Sequence, residues 1–167
     1  DGVYVTAVGY LGVDEPGTVT GAYQWDASYS GDANNNSTTD INSPSESLTV
    51  SAASPTLTTT PNPTSVTLGG SIPTLTDTAT LSGGYFPTGT ITFTLEYNGA
   101  TVDSEPVTVK GNGAYSTPTG YTLPSSGTVT GTYQWDATYS GDPDNNTASD
   151  IGTVSYTHLT LPTILRV

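Results

Sequence analysis

The segment GTVTGTYQWDATYSGD, Gly127 to Asp142, decides how the rest of this 167-residue chain is read. It is a second copy of GTVTGAYQWDASYSGD, Gly17 to Asp32, which lies 110 residues earlier and differs only at Ala22/Thr132 and Ser28/Thr138. A match this close marks an internal repeat, and the repeat governs every later assignment. Within each copy the residues alternate. Tyr133, Trp135, Ala137 and Tyr139 share one face, and Gln134, Asp136 and Thr138 the other. A period of two marks a half-buried antiparallel strand, and Tyr-Ser-Gly-Asp then stops it with turn residues. Small-plus-aromatic residues on the inward face are core composition; a sugar-stacking platform is the lesser reading of the same rings.

Working outward, Thr90 to Tyr97 (TITFTLEY) alternates most cleanly, with Ile91, Phe93, Leu95 and Tyr97 inward. Asp77 to Ser82 places Ala79 and Leu81 on one face, and Asn98-Gly99 is a strong hairpin signal. Val66 to Leu68, Val102 to Val109, Gly113 to Thr117 and Asn146 to about Ile151 supply further short strands. Seven or eight such strands with regular turn signals predict an all-β fold, an immunoglobulin-like antiparallel sandwich in tandem repeats. No stretch reads as a helix. Residues 54–152 form a complete repeat. Residues 1–53 form the last third of a preceding one plus a proline-spaced linker, so Asp1 falls partway through a repeat and predicts a piece of a longer array. That first part leaves one face of Tyr23, Trp25 and Tyr29 without an opposing sheet, and it is expected to be the less well defined.

Residues 153–167 stand apart, because the copies cease to match after Gly152. VSYTHLTLPT, Val154 to Thr163, resembles the in-frame translation of a sequencing adapter, and such a tail is set aside from fold and function. Without it the chain keeps one basic residue, Lys110, against fifteen carboxylates.

The whole chain carries −13, with only two basic residues. Nucleic acid is excluded as a partner, since phosphate contacts need Lys and Arg, and anionic lipid is disfavoured on the same ground. No apolar run reaches spanning length, so direct membrane insertion is not expected. The absence of cysteine rules out disulfides and thiolate metal sites. A triad-type nucleophile needs a base, and the one histidine, His158, lies in the discounted tail. Asp26 and Asp136 recur beside the tryptophans but read as solvated surface carboxylates, and Lys110 in Lys-Gly-Asn-Gly reads as a turn lysine. No catalytic residue is therefore assigned. The one candidate metal pattern is Asp142, Asp144, Asn146 and Asp150, repeated as Asp32, Asn34, Asn36 and Asp40. Oxygen ligands at alternate positions suit Ca²⁺, but the glycine and terminal Glu of a calcium loop are missing, and an ordinary hairpin tip has the same composition.

Ala137-Thr-Tyr-Ser-Gly-Asp with its Asn-rich tip, Leu123-Pro124 followed by a glycine, and Pro87-Thr-Gly-Thr-Ile-Thr-Phe upstream resemble the bacterial Ig-like repeats of group 3. The resemblance covers Pro55 to Ile151 in full and Asp1 to Ser43 in part. The chain departs from it by extra residues between Leu123-Pro124 and Tyr133. It also lacks the cysteine pair of antibody-type domains, with Trp135 filling the core instead. The resemblance implies a non-catalytic spacer or adhesin-like module of a large protein on the bacterial cell surface or secreted from it. It implies neighbouring Ig-like repeats as partners, a glycan or protein ligand bound through another domain, and no cofactor beyond the Ca²⁺ alternative.

Overall fold

A computed structural model of the chain describes residues 3–5, 19–69, 71–127, 129–152 and, for the backbone, 157–160. It divides into two compact units, Asp1–Ala52 and Ala53–Val167. Unit 1 contains β1 (Gly21–Gln24), β2 (Ala27–Tyr29), β3 (Thr38–Asp40) and β4 (Ser47–Val50), with a 3₁₀ turn at Pro44–Glu46. β1 pairs with β4 and β2 with β3, both antiparallel.

Unit 2 contains β5 (Thr56–Asn62), β6 (Ser65–Thr67), β7 (Thr74–Ser82), β8 (Thr90–Tyr97), β9 (Ala100–Thr108), β10 (Gly113–Ser116), β11 (Tyr121–Thr122), β12 (Thr132–Tyr139), β13 (Ala148–Asp150) and β14 (Thr157–Thr160). They form an all-β sandwich of two sheets. In one, β7 is central, with β5 on one edge and β10 and β11 on the other. In the second, β9, β8 and β12 lie side by side, and β13 and β14 share the far edge of β12. β6 then joins β14 in parallel.

Alternation accounts for the layers. β8 turns Ile91, Phe93 and Leu95 inward with no exposure, and β7 turns in Leu75, Ala79 and Leu81. Each fully buried large side chain contributes about 1.5–3 kcal/mol. β12 contributes Tyr133, Trp135, Ala137 and Tyr139 to the same core. Phe93 meets Trp135 edge-on at 6.5 Å, and Tyr97 lies against Tyr133 at 4.7 Å between ring centres. Asn98 and Gly99 both take positive φ, 50° and 81°, and close the β8–β9 hairpin.

Three elements depart from the sequence reading. Residues 54–65 of the complete repeat, given no bounded strand in the sequence reading, contain β5, with Pro61 opposite Asp77. An edge strand tolerates proline because one row of its N–H groups needs no ladder partner. β7 begins at Thr74, which puts Asp77 at inward parity, 1% exposed among apolar neighbours. And the backbone of Thr157–Thr160, within the tail set aside above, pairs with Thr132–Tyr133 of β12. Main-chain groups alone are enough to fill such an edge.

Candidate functional site

The polar groups concentrate at one end of the unit 2 sandwich, around the loop that follows β12. Gly141 takes φ 69° there, and Asp142 and Asn145 close a turn by exchanging main-chain bonds at 2.9 and 3.2 Å. The Asp142 carboxylate sits inside that turn. Its Oδ1 accepts from the Asp144 N–H (2.9 Å) and Asn145 Nδ2 (2.8 Å). Its Oδ2 accepts from the Thr88 N–H (2.7 Å), the Thr88 hydroxyl (3.1 Å) and the Tyr139 hydroxyl (3.2 Å). A carboxylate offers about four lone-pair directions, so donors from the protein saturate this one. Burial pushes the Asp142 carboxyl up, but the bonds from Thr88, Asn145 and Asp144 outweigh it and hold the group down to about 2. Burial and the adjacent charge of Asp142 together raise the Tyr139 hydroxyl.

Two further strands of chain are tied to the same loop. Asn145 bonds both main-chain groups of Tyr85, accepting its N–H at 2.7 Å and donating to its carbonyl at 2.8 Å. Ala53, where unit 2 begins, donates to the Asp144 carbonyl (2.8 Å) and accepts from the Asn146 N–H (2.8 Å). Asn146 Nδ2 reaches Ser54 Oγ at 3.1 Å.

Asp150 lies on β13 and spends Oδ2 on the N–H (2.7 Å) and hydroxyl (3.1 Å) of Thr59 in β5, which joins the last-repeated strand of one sheet to the first strand of the other. Among the described residues, no group of three or more His, Cys, Asp or Glu side chains is placed to hold a metal ion. In unit 1 the equivalent turn forms by the same rules. Asp32 accepts from the Asn34 N–H (2.7 Å), from Asn35 Nδ2 and from the Tyr29 hydroxyl (2.8 Å), and these bonds lower its pKa in that order of partners: Asn34, Tyr29, Asn35. Asn36 and Asp40 are exposed.

The other sequence candidates also serve main chain. Asp136 Oδ1 accepts from Gln134 Nε2 (2.8 Å) and the Gly152 N–H (3.0 Å); Asp26 accepts from the Asn42 N–H (2.8 Å), its counterpart 110 residues earlier. Lys110 is exposed, and its N–H donates to the Tyr115 hydroxyl. Tyr133 and Tyr23 each donate a hydroxyl hydrogen to the carbonyl four residues upstream, Val129 at 3.4 Å and Val19 at 2.7 Å. That is the tyrosine corner of immunoglobulin-type sandwiches, and Trp135 stands where antibody domains place the second cysteine.

Sequence reasoning missed Thr88, Thr59 and Ala53, which act largely through main-chain groups that any residue carries. Asp77 was legible: counting back by twos from Leu81 and Ala79 reaches it.

The strand order, the tyrosine corner and the tryptophan plug define an immunoglobulin-like antiparallel β-sandwich with its end-loop carboxylates turned onto its own backbone. No family model, curated protein or solved structure matches the chain.

Proposed function

We propose that this chain is a non-catalytic structural repeat of a large bacterial surface or secreted protein, similar to the group 3 Ig-like repeats, which spaces a distal binding domain from the envelope. The observation that carries this reading is how unit 2 holds its first residues. Ala53 and Ser54 are bonded into the Asp142–Asn146 loop, Asp142 passes that attachment to Thr88, and Asp150 ties β13 to β5. Tension arriving along the chain is therefore passed from neutral bonds at Ala53 and Ser54 to the charge-assisted bonds of Asp142 and Asp150, which are roughly twice as strong. The near-identical strand 110 residues away supports the same reading, since a spacer gains length by repeating a unit. A carbohydrate- or Ca²⁺-binding module is the weaker reading: Trp135 is packed in the core and the lone pairs of Asp142 are taken.

The test is to pull an engineered array of residues 53–152 by force spectroscopy. Evenly spaced unfolding events are expected, with Asp142→Ala lowering the unfolding force. A single non-periodic event, or an unchanged force in the variant, contradicts the proposal.

A further inference from the structure

Tyr133 makes the tyrosine corner of unit 2, and a second phenol lies against it. Tyr97, the last residue of β8, stands directly opposite Tyr133 of β12, where facing Cβ atoms are about 4.5–5.5 Å apart. The ring centres are 4.7 Å apart and the planes are inclined at 32°. Rings side by side in one plane could not come so close, so these two are stacked. The pairs Tyr85–Phe86 and Phe93–Trp135 are instead near perpendicular, at 85° and 88°. The hydroxyls fix which parts of the stacked rings meet. Tyr97 donates to the Thr130 carbonyl at 3.0 Å and Tyr133 to the Val129 carbonyl at 3.4 Å. Adjacent carbonyls of one loop thus hold the two phenol ends side by side, which brings together the carbons ortho to the hydroxyls. Gly131 of the same loop seats the first ring: a Cβ there would stand 2.6 Å from Tyr97 Cε2, one of those ortho carbons. A third phenol, Tyr121, lies farther from Tyr133, at 6.1 Å.

We propose that Tyr97 and Tyr133 form an oxidative cross-linking site, at which a one-electron oxidant joins the two rings as dityrosine. Each phenol gives one electron to the oxidant and its hydroxyl proton to water, leaving a phenoxyl radical with part of its spin on the ortho carbons. The two radicals pair to form one C–C bond between ortho carbons. Each of those carbons then passes its hydrogen, as a proton, to the oxygen of its own ring. Both hydroxyls are restored, and the net loss is two hydrogen atoms. Stacked rings suit the coupling because the spin lies above and below each ring plane. Tyr133 is 3% exposed, which keeps a bulky oxidant away from it. Tyr97 is half-buried; it is oxidised first, takes an electron from Tyr133 across the stack and is oxidised again. The new bond ties β8 to β12 and closes the chain between residues 97 and 133 into a loop, which lowers the entropy of the unfolded state. The site does not depend on the spacer reading.

The test uses the full chain and its two basic residues, Lys110 and Arg166. Trypsin cuts the unfolded chain after them, leaving Tyr97 in fragment 1–110 and Tyr133 in fragment 111–166, and no cysteine can join the two. The folded chain, dilute and at neutral pH, is illuminated briefly with tris(bipyridyl)ruthenium and persulfate, which takes up the electrons and becomes sulfate. Monomer is then isolated in denaturant, digested and run on a denaturing gel. The fragments are expected to stay joined, to show dityrosine fluorescence, and to have lost the mass of two hydrogen atoms. Tandem mass spectrometry should place the link between Tyr97 and Tyr133. Tyr97→Phe and Tyr133→Phe should each release the fragments, while Tyr121→Phe leaves them joined. Fragments that separate in the wild type overturn the proposal, as does joining that survives Tyr97→Phe or a link mapped to any other pair of tyrosines. So does an equal yield from chain oxidised in urea, since the fold then contributes nothing. Because the map is made on the wild-type chain, the proposal stands or falls even if a phenylalanine variant fails to fold.

Discussion

Asp77 is the residue at which the sandwich departs furthest from an apolar core. It lies on β7 between Leu75 and Ala79, both of which are buried. Its Oδ1 accepts the Thr78 N–H at 2.9 Å, while its Oδ2 and the indole Nε1 of Trp135 are buried with no hydrogen-bond partner among the described residues. Burial pushes its carboxyl up to about 6, against the Thr78 bond and the pull of the nearby Thr60 N–H, and the charges of Asp150 and Asp136 add to the rise. The folded-state value lies above the ordinary 3.8, so below about pH 4 both states hold the proton and the fold has its full stability. Between about pH 4 and 6 the unfolded chain ionises first, and above that range the fold has lost on the order of 3 kcal/mol. Thermal melts should therefore show the midpoint falling from pH 4.5 to pH 7, and Asp77→Asn should flatten that slope. A variant that keeps the wild-type slope would move the effect to another group.

At the scale of elements, what could be read in advance was whatever is written in local alternation. β8 runs over Thr90–Tyr97 as its TITFTLEY pattern dictates, and β12 over Thr132–Tyr139. β5 could not be bounded because its prolines signal extended chain without saying which edge it joins; the partner that recruits it, β7, lies outside any local window. The loop after β12 was legible as a turn but not as a junction, since Thr88 and Ala53 reach it from 54 and 89 or more residues away in sequence through backbone groups. The turn itself yields a prediction. A Cβ at Gly141 would stand 2.7 Å from the Asn145 carbonyl, in a backbone of φ 69°; at Gly99, φ 81°, it would meet nothing within 4 Å. Left-handed backbone costs an L-residue about 1–2 kcal/mol, so both alanine variants lose that much. Gly141→Ala must also displace the carbonyl that closes the turn around Asp142. Urea unfolding should rank Gly141→Ala below Gly99→Ala by about 1 kcal/mol or more; equal losses would show that the loop yields without resistance.

For the whole molecule the governing quantity is charge. At pH 7 the chain carries −13, which keeps copies with exposed Trp25 and Leu48 apart over about one Debye length, about 10 Å at 0.1 M salt. The net charge vanishes near pH 4.1, and association is expected there. Acid unfolding would also bring chains together, but the titrations of Asp77 and Asp142 separate the causes. Asp77 takes up its proton as pH falls toward 4 and adds stability. Asp142, held near 2, keeps its ionised network until the pH drops well below that point, because a depressed carboxylate loses its contribution only on passing its folded-state value. Neither titration removes stability at pH 4, so the molecules that meet there are expected to be folded. Sedimentation velocity should show monomers at pH 7 in low salt and larger species near pH 4, with the near-UV circular dichroism of the packed aromatics retained. Added salt at pH 7 should move the distribution the same way. Sedimentation that does not change at pH 4 would remove charge as the cause, and association that arrives only with loss of the near-UV signal would assign it to unfolding.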